Sequence, residues 1–440
     1  MQLQSPDPNK ESDFMIEKIK ERPINKRKLL RRTLTTASMA VVFGLIACLT
    51  FLLLEPVINH WLYPEEPPEM VELPEDTEEI PPEDMLVQDE PEDTPEGQEI
   101  KLEEEQIQQI LSEVSLDVDD YRAMHASVTA YVGEINRSIV TVTGAVSNVD
   151  WFNESYESEG AVSGVLFYNN GKELLILADR SGIAKAETLT ATFYNGREVP
   201  AEVKQYDSNT NLAVIAVQLD GLEDSLVQEL LIAPLGTSNT RNLPGTPVVV
   251  LGSPMGVPDS VCFGMITASD TTLYMSDANY KLLYTDIFGS QNSSGVVFDL
   301  QGHVLGIVTN GKTAADLRNL IAAYGISELK QIVSKMGNGI EPGYLGIMGT
   351  DVTEEANREL GVPYGAYIRE IYMDSPAMLA GIQRGDVIVE VNGEMISRFA
   401  DYTNTILKLH TGSTVSVKVR RQVQNEYREM SFNVTIGSEK

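Results

Sequence analysis

Ile139-Val140-Thr141-Val142-Thr143 is a short β-branched run, and β-branched residues fit the pleated, half-buried surface of a strand. Runs of the same kind return downstream. They are Gly164-Val165-Leu166-Phe167, Leu174-Leu175-Ile176-Leu177, Leu189-Thr190-Ala191-Thr192-Phe193, Ala213-Val214-Ile215-Ala216-Val217 and Pro247-Val248-Val249-Val250-Leu251-Gly252. Turn signals separate them, among them Tyr168-Asn169-Asn170-Gly171-Lys172 and Tyr194-Asn195-Gly196. No long helical pattern alternates with the runs. Short strands at this density predict an all-β barrel or sandwich from Ser138 to about Ser269.

The 440 residues leave room for two or three domains, and a hydrophobic share of 42% is enough for real cores. The net charge is −32, but it is unevenly spread. Residues 64–105 hold 19 acidic side chains and one Lys, more than half of the excess. A nucleic-acid partner needs a basic face, so none is expected. Cys48 and Cys262 lie in different kinds of segment, and no disulfide is expected between them. No calcium loop of the D-x-D-x-D-G kind occurs, and neither a metal nor a cofactor is expected.

Residues 34–54 read LTTASMAVVFGLIACLTFLLL, 21 residues without a charge. At 1.5 Å rise per residue such a helix spans a hydrocarbon core of roughly 30 Å. A cleaved signal peptide begins closer to the N-terminus, whereas 33 mostly polar residues precede this run. The run predicts an uncleaved transmembrane helix. Lys18, Lys20, Arg22, Lys26, Arg27, Lys28, Arg31 and Arg32 crowd its N-terminal side. The positive-inside rule therefore places the basic tail 1–33 in the cytoplasm and everything after Glu55 outside. Trp61 and Tyr63 sit where interfacial aromatic anchors belong.

The acidic, Pro-rich linker 55–105 reads as an extended, disordered stalk from about Pro64 onward, because its charges repel and its prolines oppose helix. Apolar spacing then predicts a short helix over 102–114 and a second over about 117–135.

Several motifs resemble the HtrA (DegP-like) serine proteases. They are Asn195-Gly196-Arg197-Glu198-Val199, Tyr206-Asp207-Ser208-Asn209-Thr210-Asn211-Leu212-Ala213-Val214, Ala233-Pro234-Leu235-Gly236, Leu251-Gly252-Ser253-Pro254-Met255-Gly256, Asn292-Ser293-Ser294-Gly295 and Gly302-His303-Val304-Leu305-Gly306-Ile307. The likeness runs in order over roughly residues 135–437. It implies a mainly β chain with two barrels of the chymotrypsin type over 106–338, leading helices included. It also implies cleavage of misfolded proteins outside the cytoplasm and assembly as a trimer.

Such an enzyme needs a Ser nucleophile, a His base and a carboxylate that orients the His, in the chain order His, Asp, Ser. The resemblance places the His position in Leu177-Ala178-Asp179-Arg180-Ser181-Gly182, where Ser181 stands. It places the Asp position in Thr210-Asn211-Leu212, where Asn211 stands. It places the nucleophile in Asn292-Ser293-Ser294-Gly295, where Ser294 survives. The family's oxyanion-hole Gly, two residues before the nucleophile, is replaced by Asn292. An Asn restricts the conformations available for aiming that N–H beside the N–H of Ser294. His60, His125, His303 and His410 are the only histidines, and none stands where it could replace the base. Loss of the base costs on the order of 10⁴ to 10⁶ in kcat.

Residues 340–437 resemble the PDZ domains of the same family. Tyr344-Leu345-Gly346-Ile347, Asp374-Ser375-Pro376-Ala377, Gly385-Asp386-Val387-Ile388 and Asn392-Gly393 carry the likeness. Tyr344, Leu345, Gly346 and Ile347 would form the loop whose backbone N–H groups take a terminal carboxylate, with the peptide adding a strand to the sheet edge. The leading expectation is a membrane-tethered pseudoprotease that binds unfolded segments or C-terminal peptides of envelope proteins. One alternative is an active endopeptidase in which Lys185 or Asp179 acts on Ser294. The other is a non-catalytic trimeric scaffold that docks membrane partners through its PDZ domain.

Overall fold

The computed structural model describes residues 26–62, 68–74, 76, 117–149, 155–310, 317, 319–424 and 426–438. The chain divides into two units, 1–67 and 68–440. In the first, Lys26–Leu62 forms helix α1, which covers the apolar run, and the described side chains at 34–50 are exposed. Among the described residues no helix is long and apolar enough to cross a membrane. The expected anchor over 34–54 therefore rests on the sequence alone.

The second unit opens with α2 (Val118–Ile135), the longer of the two expected helices. Asp117 caps it, accepting from the N–H groups of Asp119 at 2.7 Å and Asp120 at 3.0 Å. The shorter helix expected at 102–114 lies outside the described residues. Six strands follow: β1 (Ile139–Val149), β2 (Ser155–Asn169), β3 (Glu173–Asp179), β4 (Thr188–Phe193), β5 (Glu198–Tyr206) and β6 (Leu212–Gln218). They close into a barrel in the order β1-β2-β3-β6-β5-β4. A second closed barrel, ordered β10-β11-β12-β9-β8-β7, uses β7 (Pro247–Ser253), β8 (Ser260–Tyr274), β9 (Asn279–Phe288), β10 (Ser294–Phe298), β11 (Val304–Thr309) and β12 (Leu320–Gly325). Every strand run read from the sequence falls inside one of these strands.

The unbroken apolar runs have a simple cause. Alternate residues of a strand face opposite sides. In β6, Ala213, Ile215 and Val217 fill the first barrel, while Leu212, Val214 and Ala216 face a second core between the barrels. In β7, Val248 and Val250 fill the second barrel, while Val249 and Leu251 join the shared core. Both faces are buried, so polar residues have no place in these strands. Helix α3 (Ile326–Gly337) closes the shared core with Ile326, Leu329, Ile332, Val333 and Met336.

The last sheet, ordered β13-β14-β15-β17-β18, comprises β13 (Ile347–Asp351), β14 (Ala366–Ile371), β15 (Val387–Val391), β17 (Thr414–Val423) and β18 (Glu426–Thr435), with β16 (Glu394–Met395) paired to β15. Helix α4 (Phe399–Lys408) packs on it through Phe399, Tyr402 and Ile406.

One expectation changes. Part of the presumed stalk is folded against the body. Val71 is 1% exposed and sits on Gly337. Its N–H donates to the Asn338 side-chain oxygen at 2.9 Å, and its carbonyl accepts from Asn338 Nδ2 at 3.0 Å and from Ser334 Oγ at 2.6 Å. The Asp76 carboxylate, five residues on, binds Ser327 and the buried Lys330. Acidic composition predicts a solvated chain, but Val71 and Leu73 packed on the core, with a hydrogen-bonded backbone, hold this short strap in place.

Candidate functional site

Two of the three residues at the expected triad positions, Ser181 and Ser294, line one cleft, a cavity of about 510 Å³ at the seam between the barrels, and the third, Asn211, is hydrogen-bonded to Ser181 behind it. Strand pairing sets two of them side by side. The end of β3 pairs with the start of β6, Asp179 opposite Leu212, so the residues just beyond, Ser181 and Asn211, meet. Asn211 Nδ2 donates to Ser181 Oγ at 2.8 Å and to Asp179 Oδ1 at 3.1 Å. Asn211 has φ 62, a left-handed conformation that Asn adopts readily.

Asp179 is the hub of this cluster. It is 6% exposed, and it accepts from the backbone N–H of Ser181 at 2.8 Å and from the Ser181 hydroxyl. Burial pushes its pKa up, while the hydrogen bonds from Ser181 and Asn211 pull against that shift. Arg180 donates to Asn211 Oδ1 at 3.1 Å, and its guanidinium lies 3.7 Å from the centroid of the Tyr206 ring. The His and Asp positions are thus held by a network that gives its hydroxyl proton to Asp179. A hydroxyl and an amide cannot take a proton from Ser294 near neutral pH.

Ser294 is the first residue of β10 and is 6% exposed. Gly295 follows it with φ 143, where a Cβ would stand 2.2 Å from the Leu251 carbonyl oxygen. That Gly is what lets β10 approach β7. The Ser294 hydroxyl accepts from the backbone N–H of Ser163, on β2 of the other barrel, at 3.0 Å. The N–H expected to serve the oxyanion hole is engaged too. The N–H of Asn292 donates to Ser290 Oγ at 3.1 Å, which turns it to a partner within its own loop. Ser293 Oγ donates to the Pro254 carbonyl at 2.8 Å, which holds that loop against the end of β7.

Asp179 is the only ionisable side chain among the described residues lining the cleft. Lys185 is not among them. His303 binds Asp299 at 3.0 Å and His125 packs edge-on against Tyr121, both elsewhere.

The second site is the Tyr344–Ile347 loop. A carboxylate does sit in it, and it belongs to the chain itself. Asp277, in the turn between β8 and β9, accepts from the N–H groups of Leu345 and Gly346 at 2.7 Å each and from that of Ile347 at 3.0 Å. Tyr402 on α4 adds its hydroxyl at 2.5 Å. Burial pushes the Asp277 carboxyl up while these donors pull it down. Burial and the neighbouring Asp277 carboxylate raise Tyr402 well above its ordinary value, so its hydroxyl stays a donor. The backbone of the turn engages as well. The Asp277 N–H donates to the Ile347 carbonyl at 2.7 Å, and Thr403 Oγ1 donates to the Asp277 carbonyl at 2.8 Å. Sequence reasoning missed Asp277, Ser163 and Ser290. Asp277 and Ser163 act on partners distant in sequence, and Ser290 on the backbone N–H of Asn292 in its own loop, and none of these leaves a motif.

Comparison with known proteins agrees with this arrangement. The family described as a trypsin-like peptidase domain matches residues 162–307, and the PDZ domain family matches residues 367–421. The chain is 29% identical over 289 residues to a protein of Halomonas elongata named "Probable periplasmic serine endoprotease DegP-like", covering 64% of this chain and 57% of that one. It is 26% identical over 329 residues to "Serine protease Do-like HtrA" of Bacillus subtilis, covering 70% of each. The match thus spans little more than half the length of the first of these relatives. Among solved structures, "HtrA-type protease AlgW with decapeptide" shares the fold with a TM-score of 0.51 at 20% identity, over 71% of this chain and 98% of that one. Two matched domains in this order, on two closed barrels and a separate sheet, make the chain HtrA-like, a trypsin-type peptidase fold followed by a C-terminal PDZ domain.

Proposed function

We propose that this chain is a pseudoprotease, a membrane-tethered HtrA-like protein that binds unfolded segments or free C-termini in the cell envelope without cleaving them efficiently. The observation that carries this reading is the hydrogen-bond state of Ser294. Its hydroxyl accepts from Ser163, and the one ionisable side chain among the described lining residues of the cleft, Asp179, is bonded to Ser181 and Asn211 instead. Substrate shape is kept while proton transfer is lost. The cleft retains a volume of about 510 Å³ and a lining of Ser, Asn and Gly residues that could still hold an extended backbone.

The 21 uncharged residues at 34–54, inside the continuous helix α1, support the anchor. The basic tail before them supports an N-terminus in the cytoplasm, and the periplasmic naming of one relative supports an envelope setting. A homotrimer is proposed from the family likeness alone.

The test is casein degradation by the purified chain beside Ser294→Ala. Equal, background-level cleavage in both supports the pseudoprotease. Cleavage that Ser294→Ala abolishes overturns it and favours an endopeptidase with an unfamiliar base.

A further inference from the structure

The groove between β13 and α4 is already filled. Residues of the β8–β9 turn lie in it, and their contacts follow the logic of a bound peptide. A carboxylate takes three consecutive backbone N–H groups of the loop. The segment's own backbone bonds strand β13 through the Asp277 N–H and the Ile347 carbonyl. Farther along, Asn279 Nδ2 donates to the Gly349 carbonyl at 3.2 Å. From the other wall, Tyr402 and Thr403 of α4 bond the Asp277 side chain and carbonyl. Asp277 is 8% exposed and takes φ 57. That left-handed turn aims the carboxylate into the loop.

We propose that Asp277 is an internal stand-in for a peptide C-terminus, and that the turn on which it sits keeps this PDZ groove closed. The ligand is then a chain with a free terminal carboxylate, and it binds only by displacing the Asp277 turn. This rests on reading the groove as a peptide site. Four donors on one carboxylate form a charge-assisted cradle, which is strong because it is dry. A competitor must supply the same carboxylate and also separate the turn from the groove. Its apparent affinity falls by the fraction of molecules in which the groove is open. Because the occupant belongs to the peptidase-like domain, ligand capture and release of the PDZ domain are one event. A protein without catalysis can report binding in this way, by freeing a domain rather than by cutting.

The experiment uses the full chain and a library of labelled decapeptides with free C-termini, beside the same library amidated. Asp277→Asn removes the carboxylate and keeps the size and the left-handed turn. Asn279→Ala removes the bond from the turn to the Gly349 carbonyl and leaves every residue of the PDZ domain unchanged. Hydrogen exchange at the Leu345, Gly346 and Ile347 amides reports whether the groove opens. The expected result is about tenfold tighter binding of free-carboxylate peptides by Asp277→Asn, a smaller gain in Asn279→Ala, no gain for amidated peptides, and faster exchange at the three amides. Equal affinity in all three chains, with exchange accelerated in the variants, overturns the displacement. If no chain distinguishes free from amidated peptides, the peptide-site reading falls, and the proposal with it. The accelerated exchange would then mark Asp277 as a fixed interdomain latch.

Discussion

The Ser294 hydroxyl accepts a hydrogen bond from the backbone N–H of Ser163 at 3.0 Å, across the seam between the two barrels. A nucleophilic Ser donates to its base. Here the hydroxyl serves as an acceptor that ties one barrel to the other. At the position where the sequence leads one to expect the nucleophile, this hydrogen bond serves packing.

Restoring chemistry therefore takes more than the two lost side chains. Ser181→His with Asn211→Asp supplies a base and its orienter at positions already 2.8 Å apart. The oxyanion position remains unavailable while Asn292 bonds Ser290. The double variant should cleave a fluorogenic peptide measurably above the parent. Adding Ser290→Ala, which removes the acceptor that now holds the Asn292 N–H, should raise kcat a further ~10² to 10³-fold, the usual worth of one oxyanion donor. If the third substitution changes nothing, the account of the Asn292 N–H is wrong.

Val71 carries the strap. Val71→Ala removes two methyl groups from a site 1% exposed and should cost about 2 kcal/mol. Asn338→Ala leaves the Val71 N–H without its bond and should cost on the order of 1 to 3 kcal/mol. Both variants should lower the thermal midpoint and open residues 68–76 to limited proteolysis before the barrels are attacked. Unchanged cleavage kinetics in that segment would refute the packing described.

Asp179 gives a pH test with a defined sign. Burial holds its pKa above the ordinary 3.8, so the folded chain binds that proton more tightly than the unfolded chain. Its contribution to stability is present below 3.8 and is lost as pH rises through the raised value. Asp179→Asn keeps an oxygen for the three donors now on Oδ1. The variant should gain stability relative to the parent as pH climbs through that window. Denaturant midpoints that run parallel across it would contradict the sign.

Much of this was legible in the residues. Runs such as 174–177 and 213–217 marked the strands because both their faces are buried, and the resemblance to the HtrA proteases set Ser181 and Asn211 at one site, where the pairing of β3 with β6 brings them together. The leading helix at 118–135 falls within the expected span of about 117–135. What escaped has a common cause. Asp277 meets Leu345 across 68 positions, and Val71 meets Asn338 across 267. Ser163 and Asn292 act through backbone N–H groups, which every residue but Pro carries. Composition also misled at 68–76, where Val71 and Leu73 among acidic residues and prolines outweigh the average character of their neighbourhood.

The strap sets a load path. Tension arriving along the chain from the N-terminal side meets Val71 and Asp76 before it meets α2 or either barrel. The pocket that receives Val71 thus acts as a mechanical fuse: its bonds to Asn338 and Ser334, with those of Asp76 to Ser327 and Lys330, take the pull before the barrels do.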